Sequence, residues 1–256
     1  MLNNKFFIDA NLGLDFVAAG TTTRGLELEG AVSKPPYQRF NLGMHMQDNP
    51  QSVAINRKLL HQQLNLPGDP CWLQQVHGTT IIQQPQPQST IPIADASFST
   101  QKQIVLAIMT ADCLPVVLAS EKADWIALVH CGWRSLAAGI LTKVLSTAPQ
   151  KPKNIRAWFG PGIGAGAFEV GEEVKFKFQN NFKNIDSNSN LERCFVEKSE
   201  HKYLANLPEL AKFELSSLGI AWVKGGDLCS YSDEARFYSY RRDGETGRMA
   251  TLAWIK

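Results

Sequence analysis

Apolar residues recur along this chain in short runs broken by polar, glycine- and proline-containing stretches, and the length and period of each run predict its structure. "FVAAGTTTRG" reads as a strand entering a polar turn. "DNPQSVAINRKLLHQQLNLPG" reads as a helix, with Asp48 or Asn49 as its cap, Pro50 in its first turn and a Pro-Gly stop. "CWLQQVHGTTII", "IVLAIMTADC", "PVVLAS" and "WIALVHC" are short, apolar or β-branched and bounded by turn residues, so each is predicted as a strand, several of them central. "RSLAAGILTKVLSTAP" repeats apolar residues at helical spacing and stops before a proline. "IRAWFGPGIGAGAFEVGEEVKFKFQ" predicts a strand, a glycine-rich turn and a charged helix; "YLANLPELAKFELSSLGIAWV" predicts a helix and then a strand; "GRMATLAWI" predicts a closing strand. The Asn/Ser-rich "QNNFKNIDSNSNLERC" predicts an exposed loop. Strands and helices mix without strict βαβ alternation, and there is no internal repeat or linker. The expectation is an α+β fold in one domain over residues 1–256.

Composition narrows the partners. With 44% hydrophobic and 20% charged residues over 256 positions, the chain can bury a large core. A net charge of +2 gives no electrostatic footprint for nucleic acid, and no run approaches the roughly 18 apolar residues of a membrane span. "KFKFQNNFK" alternates basic and aromatic residues, but at this net charge it reads as a solvated helix face. The start carries no basic-then-apolar leader, so a cytoplasmic location and a small-molecule partner are expected. Nothing in the sequence fixes the oligomeric state beyond monomer or small homo-oligomer. Five irregularly spaced cysteines do not form a disulfide framework.

The candidate chemistry lies at strand ends. His77, Cys113 and His130 each sit beside small or turn residues, where side chains of adjacent strands can converge. Two imidazoles and a thiolate are a catalytic zinc ligand set with the fourth position open. The bland alternative stands beside it: Cys113 as a buried small apolar residue and the histidines as turn donors. Successive strand side chains face opposite ways, so Cys131 is assigned to the core rather than joined to His130. Cys71, Cys194 and Cys229 have no partner pattern, and His45, His61 and His201 are assigned to the surface. "GPGIGAG" lacks the Lys-Ser/Thr of a phosphate-cradling loop and reads as a tight turn before a helix.

"TTTRG", "PPYQRFNLG", "INR", "QQVHG", "TADCLPVVLA", "ALVHCGWR", "GPGIGAGAFEVG" and "FYSYRRDGETGR" occur in the order seen in the YfiH-like family, also called laccase-domain or polyphenol oxidase family, which the chain resembles from Thr21 to Ile255. The resemblance implies an α+β fold related to cysteine-hydrolase-like toxins and zinc on His77, Cys113 and His130. It implies phosphorolysis of purine nucleosides (adenosine, inosine, methylthioadenosine), with adenosine deamination as a side activity; some members are linked to peptidoglycan-precursor editing. Two positions depart from the family pattern, Ser135 where glycine is usual and Arg39 where a smaller residue is usual.

The older name, laccase, meets a ligand-count objection. A multicopper oxidase needs on the order of ten histidines, many as HxH pairs, and this chain has five histidines and no HxH. Copper is therefore disfavoured. The H-x-E and P-C-x-x-C strings of nucleobase deaminases are also absent, so deamination would use another frame, with Asp112 or Asp95 shuttling protons. Asp112 has the competing role of bonding turn backbone. Phosphorolysis needs an anion site, for which Arg57, Arg134, Arg241, Arg242 and Arg248 are available; the resemblance favours Arg57 and Arg242. Asn41 and Gln75 are candidates for the ribose or base. Two further readings remain: Cys113 as a metal-free hydrolase nucleophile with a histidine base, and a metal-loaded protein without turnover.

Overall fold

The computed structural model describes residues 6–83, 90–182 and 191–256. Its strands are β1 (Phe7–Asp9), β2 (Val17–Thr22), β3 (Ile81–Gln83), β4 (Ala96–Ser99), β5 (Leu106–Thr110), β6 (Leu114–Ser120), β7 (Ile126–Cys131), β8 (Ile155–Phe159), β9 (Glu169–Gly171), β10 (Phe195–Ser199), β11 (Lys202–Ala205), β12 (Trp222–Gly225) and β13 (Met249–Ile255). Its helices are α1 (Pro50–Leu64), α2 (Trp133–Ala137), α3 (Ile140–Leu145), α4 (Glu172–Phe182), α5 (Leu207–Ser217) and α6 (Tyr240–Asp243).

The strands form a six-stranded sheet ordered β12-β8-β6-β7-β4-β3, a four-stranded sheet ordered β1-β2-β13-β5, and a small β10-β11-β9 sheet. Alternation along β6 and β7 explains how the large sheets stack. Val116, Leu118, Ala127, Val129 and Cys131 enter one apolar cluster with residues of α2 to α5. Val117, Ala119, Ile126 and Leu128 enter another with Leu106, Ile108, Ala253 and Ile255 of the four-stranded sheet. The outer face of that second sheet, through Ala107, Ala250 and Leu252, packs on Leu60 of α1. The layers therefore run helices, sheet, sheet, helix, an α+β arrangement as expected. Both faces of β6 and β7 are buried, which is why they read as unbroken apolar runs. No helix among the described residues is long and apolar enough to cross a membrane.

Local chemistry accounts for most boundaries. Asn49, rather than Asp48, caps α1, its side chain accepting from the N–H groups of Gln51 and Ser52. Asn65 ends that helix in the left-handed region. The single helix expected over residues 134–149 is two short ones, because Gly139 takes φ 74° between them. The strand expected over residues 71–82 is also corrected: only β3 forms, with isolated bridges at Cys71 and Gln74. The Gln75 side chain substitutes for part of the missing ladder, donating to Met109 O at 2.7 Å and accepting from Met109 N–H at 2.8 Å. The centre of the expected Asn/Ser-rich loop lies outside the described residues, and its first residues extend α4 to Phe182.

Candidate metal centre and its pocket

Three segments converge at one end of the seam between the two large sheets. Cys113 stands in the short connection from β5 to β6, which belong to different sheets. The preceding Asp112 has φ 92°. It is held there by its carboxylate, which accepts from Ser230 Oγ and from the Arg241 N–H, both at 2.6 Å, and by its carbonyl, which accepts from Ile163 N–H at 2.8 Å. His130, near the end of β7, faces the seam with Ile126 and Leu128, whereas Cys131 turns into the helix-side cluster.

His77 comes from the broken strand and has φ 59°. The cause of the break is Asp95, a fully buried carboxylate just before β4. It accepts from the N–H groups of Val76 at 3.2 Å, His77 at 2.9 Å and Gly78 at 2.6 Å, and its Oδ1 lies 2.8 Å from His130 Nδ1. Those bonds replace strand pairing and aim His77 at the other two side chains.

The ligand atoms of His77, Cys113 and His130 all lie within 4.8 Å of one another, and the two imidazole rings meet edge-on with centroids 4.8 Å apart. Gly132 makes the approach possible. A Cβ there would fall 2.4 Å from His77 Nδ1 and 3.2 Å from Cys113 Sγ, so the constellation closes only over a residue without a side chain. The donor set suits zinc: two borderline nitrogens and a sulfur, one histidine backed by a carboxylate, and a fourth side facing a cavity.

The electrostatics agree with a cation site. Burial opposes charge on His130, but its neighbours Cys113 and Asp95 outweigh it and lift the imidazole to about 9. Burial lowers His77, and the neighbouring His130 adds to that. Burial works against ionisation of Asp95, yet its bonds to His130 and to the Gly78 and Val76 amides hold it below the usual carboxylate range.

The three ligands lie in a cavity of about 710 Å³, within the span of small-molecule sites. One wall is cationic. Arg57, half-buried on α1, donates to Leu42 O at 2.9 and 3.0 Å and lies 3.9 Å from the Trp72 ring centroid. Arg248 donates to Thr246 O and Gly247 O. Neither guanidinium has a carboxylate partner among the described residues. Burial lowers Arg57 to about 10 and also lowers Arg248. His45 completes this wall, and burial and both guanidinium charges depress its pKa. The cavity is also lined by aromatic rings, each with its own arginine: Trp133 with Arg134 4.4 Å above its ring, and Phe168 with Arg241 5.4 Å away. Ile163, from the glycine-rich turn, lines the cavity too.

Arg57, Gln75, Asp112 and Arg134 thus line the cavity with His77, Cys113 and His130. Asn41 and Arg242 do not. Asn41 is fully buried and braces the wall from behind, its Oδ1 accepting from the N–H of Gly43 and Arg248 and its Nδ2 donating to Asp48. Arg242 spends its donors on Asp243 and on the carbonyls of Ser230, Tyr231 and Phe237. His45 is exposed, as expected, and it also lines the cavity. It and Arg248 gain their meaning from a contact across more than 200 positions, for which the local sequence carries no signal. Neither departure from the family pattern lines the cavity: Ser135 is buried in α2, and Arg39 donates to Leu28 O at 3.1 Å.

This combination is an α+β fold whose large sheets pack face to face, with a His-Cys-His constellation that could hold a metal ion and opens into a cavity lined by arginines and aromatic rings. The chain belongs to the YfiH-like family, whose model, described as multi-copper polyphenol oxidoreductase laccase, matches residues 18–256. Curated relatives include the purine nucleoside phosphorylase YfiH of Shigella flexneri, 44% identical over 93% of this chain and 94% of the relative. A purine nucleoside phosphorylase of Haemophilus influenzae is 41% identical over 94% and 95%. Among solved structures, a Neisseria meningitidis protein assigned to DUF152 superposes with a TM-score of 0.89 at 36% identity, covering 98% of this chain and 99% of that one. YlmD from Geobacillus stearothermophilus gives 0.84 at 27% identity over 95% and 93%. The copper in the family description meets the same objection in three dimensions, since the described residues bring together this one three-ligand group.

Proposed function

We propose that the protein is a zinc-dependent purine nucleoside phosphorylase acting on adenosine, inosine or methylthioadenosine, with adenosine deamination in the same cavity. The observation that carries this reading is that guanidiniums without carboxylate partners, Arg57 and Arg248 among them, line one cavity together with the aromatic residues Trp133 and Phe168 and the His-Cys-His group. Phosphate matches the cationic wall, because guanidinium forks hold its oxygens in pairs. The purine matches the Trp133 and Phe168 side, where a ring loses little by leaving water.

Bound zinc would supply Lewis acidity on His77, Cys113 and His130. The chain's own residues do the rest. Arg57 and Arg248 fix the anion against the ribose; His45 lies beside them and, with its pKa depressed, is neutral at pH 7 and offers a hydrogen bond without further charge. Asp112 is assigned the proton-transfer role over Asp95 on acceptor capacity. Four donors already engage the two oxygens of Asp95, which is all a carboxylate accommodates, whereas each Asp112 oxygen holds one. Arg242 and Asn41 are left with supporting roles, the first for the Ser230–Tyr231 loop and the second for the cationic wall.

The test is chromatography of adenosine incubated with zinc-loaded protein, with and without phosphate. Adenine, or hypoxanthine with inosine as the mark of deamination, should appear, the free bases only when phosphate is present. A zinc-loaded protein that leaves adenosine, inosine and methylthioadenosine unchanged in phosphate would refute the reading.

A further inference from the structure

We infer that Asp95 is the positioning residue that builds the metal centre, holding two of the three ligands through one buried carboxylate. The inference rests on the zinc reading of the triad and adds the residue on which that site depends.

The geometry is specific. Asp95 Oδ1 lies 2.9 Å from the His77 N–H and 2.8 Å from His130 Nδ1, so a single oxygen bridges the two histidine-bearing segments. Oδ2 accepts from Val76 and Gly78, the residues on either side of His77. The carboxylate therefore sets two features at once. It requires the proton of His130 to sit on Nδ1, which leaves Nε2 as the lone pair on the Cys113 side, and it holds His77 at φ 59°, a conformation that a residue with a Cβ adopts at a cost of about 1–2 kcal/mol unless its surroundings enforce it. Asp95 is fully buried and does not line the cavity, so it acts through the histidines and not on substrate.

The backbone separates this role from a scaffold role. Asp95 N–H donates to Thr80 O at 3.1 Å and His130 N–H donates to Asp95 O at 2.8 Å. Both bonds survive a change of side chain, so the β4–β7 pairing stays in place in a variant. Asp95→Asn is the informative substitution: an amide has one acceptor oxygen, while the four donors approach two, so its NH2 must face N–H groups on one side.

The experiment is zinc titration of wild type and Asp95→Asn against a chromophoric chelator, with thermal unfolding and amide exchange on the metal-free proteins. Asp95→Asn should bind zinc about 10–100-fold more weakly. Its midpoint of unfolding should stay within a few degrees of wild type, and faster exchange should be confined to Val76, His77 and Gly78. In zinc-loaded wild type, nitrogen NMR should find the His130 proton on Nδ1, a measurement that stands even if the variant fails to fold. Equal zinc affinity in variant and wild type, or a proton on Nε2 of His130, overturns the inference while leaving zinc at the triad intact. A wild type that binds no zinc overturns both.

Discussion

Glu214 offers the sharpest quantitative check on the packing behind the pocket. It sits on α5, fully buried, with Oε1 accepting from Thr142 N–H at 3.0 Å and Thr142 Oγ1 at 2.7 Å, and with no hydrogen-bond partner for Oε2 among the described residues. Burial dominates the two Thr142 bonds and pushes the carboxyl up to about 7 from 4.5. That difference is worth about 3 kcal/mol. The folded chain holds this proton more tightly than the unfolded chain, so the contribution is present below about 4.5 and is lost as pH rises through about 7. Glu214→Gln keeps the shape and the acceptor toward Thr142 and removes the titration. Unfolding by heat and by urea at pH 5 and pH 8 should show variant and wild type within about 1 kcal/mol at the lower pH. At the higher pH the variant should be more stable by about 3 kcal/mol, or about 6–12 °C for a chain of this size. Parallel stability curves for the two proteins across that range would refute the reasoning.

Three further outcomes are expected at the site. Gly132→Ala, which puts a methyl group 2.4 Å from His77 Nδ1, should abolish stoichiometric zinc binding by elemental analysis while circular dichroism stays native. Cys113→Ala should remove both metal and phosphorolysis; full turnover in that variant would sink the zinc mechanism. Arg57→Met and Arg248→Met should each raise the KM for phosphate at least tenfold with less effect on deamination, whereas Arg242→Met should leave that KM within about twofold and show itself as lost stability of the 230–237 loop.

The chain spelled out much of this in advance. Central strands were legible because β6 and β7 are buried on both faces and so carry unbroken apolar runs, and α1 was legible from Asn49, Pro50 and its period. The broken strand at His77 was not, because the force that breaks it is a carboxylate 18 positions away that outcompetes strand pairing for three backbone N–H groups. The helix over residues 134–149 read as continuous because its apolar spacing runs across Gly139, whose left-handed conformation ends one helix and starts the next. At the site, residue type and position left the triad beside a bland alternative until the resemblance joined the three residues, and Arg57 was favoured among the arginines but Arg248 was not. Arg242 and Arg248 are equally basic in sequence. Only the fold shows one consumed by local carbonyls and Asp243 and the other beside His45.

The pairing of β13 between β2 and β5 has a consequence for biogenesis. Thr251 and Ile255 register against Thr21 and Val17, more than 200 residues away, and Arg248 immediately precedes that strand. Loop closure on this scale is slow and comes late. During synthesis, β2 and β5 therefore wait as open, apolar sheet edges until β13 arrives, a window in which self-association competes with folding. Arg248 is among the last parts of the cavity lining to be made, so a ribosome-bound chain stalled before residue 248 would carry His77, Cys113 and His130 without it.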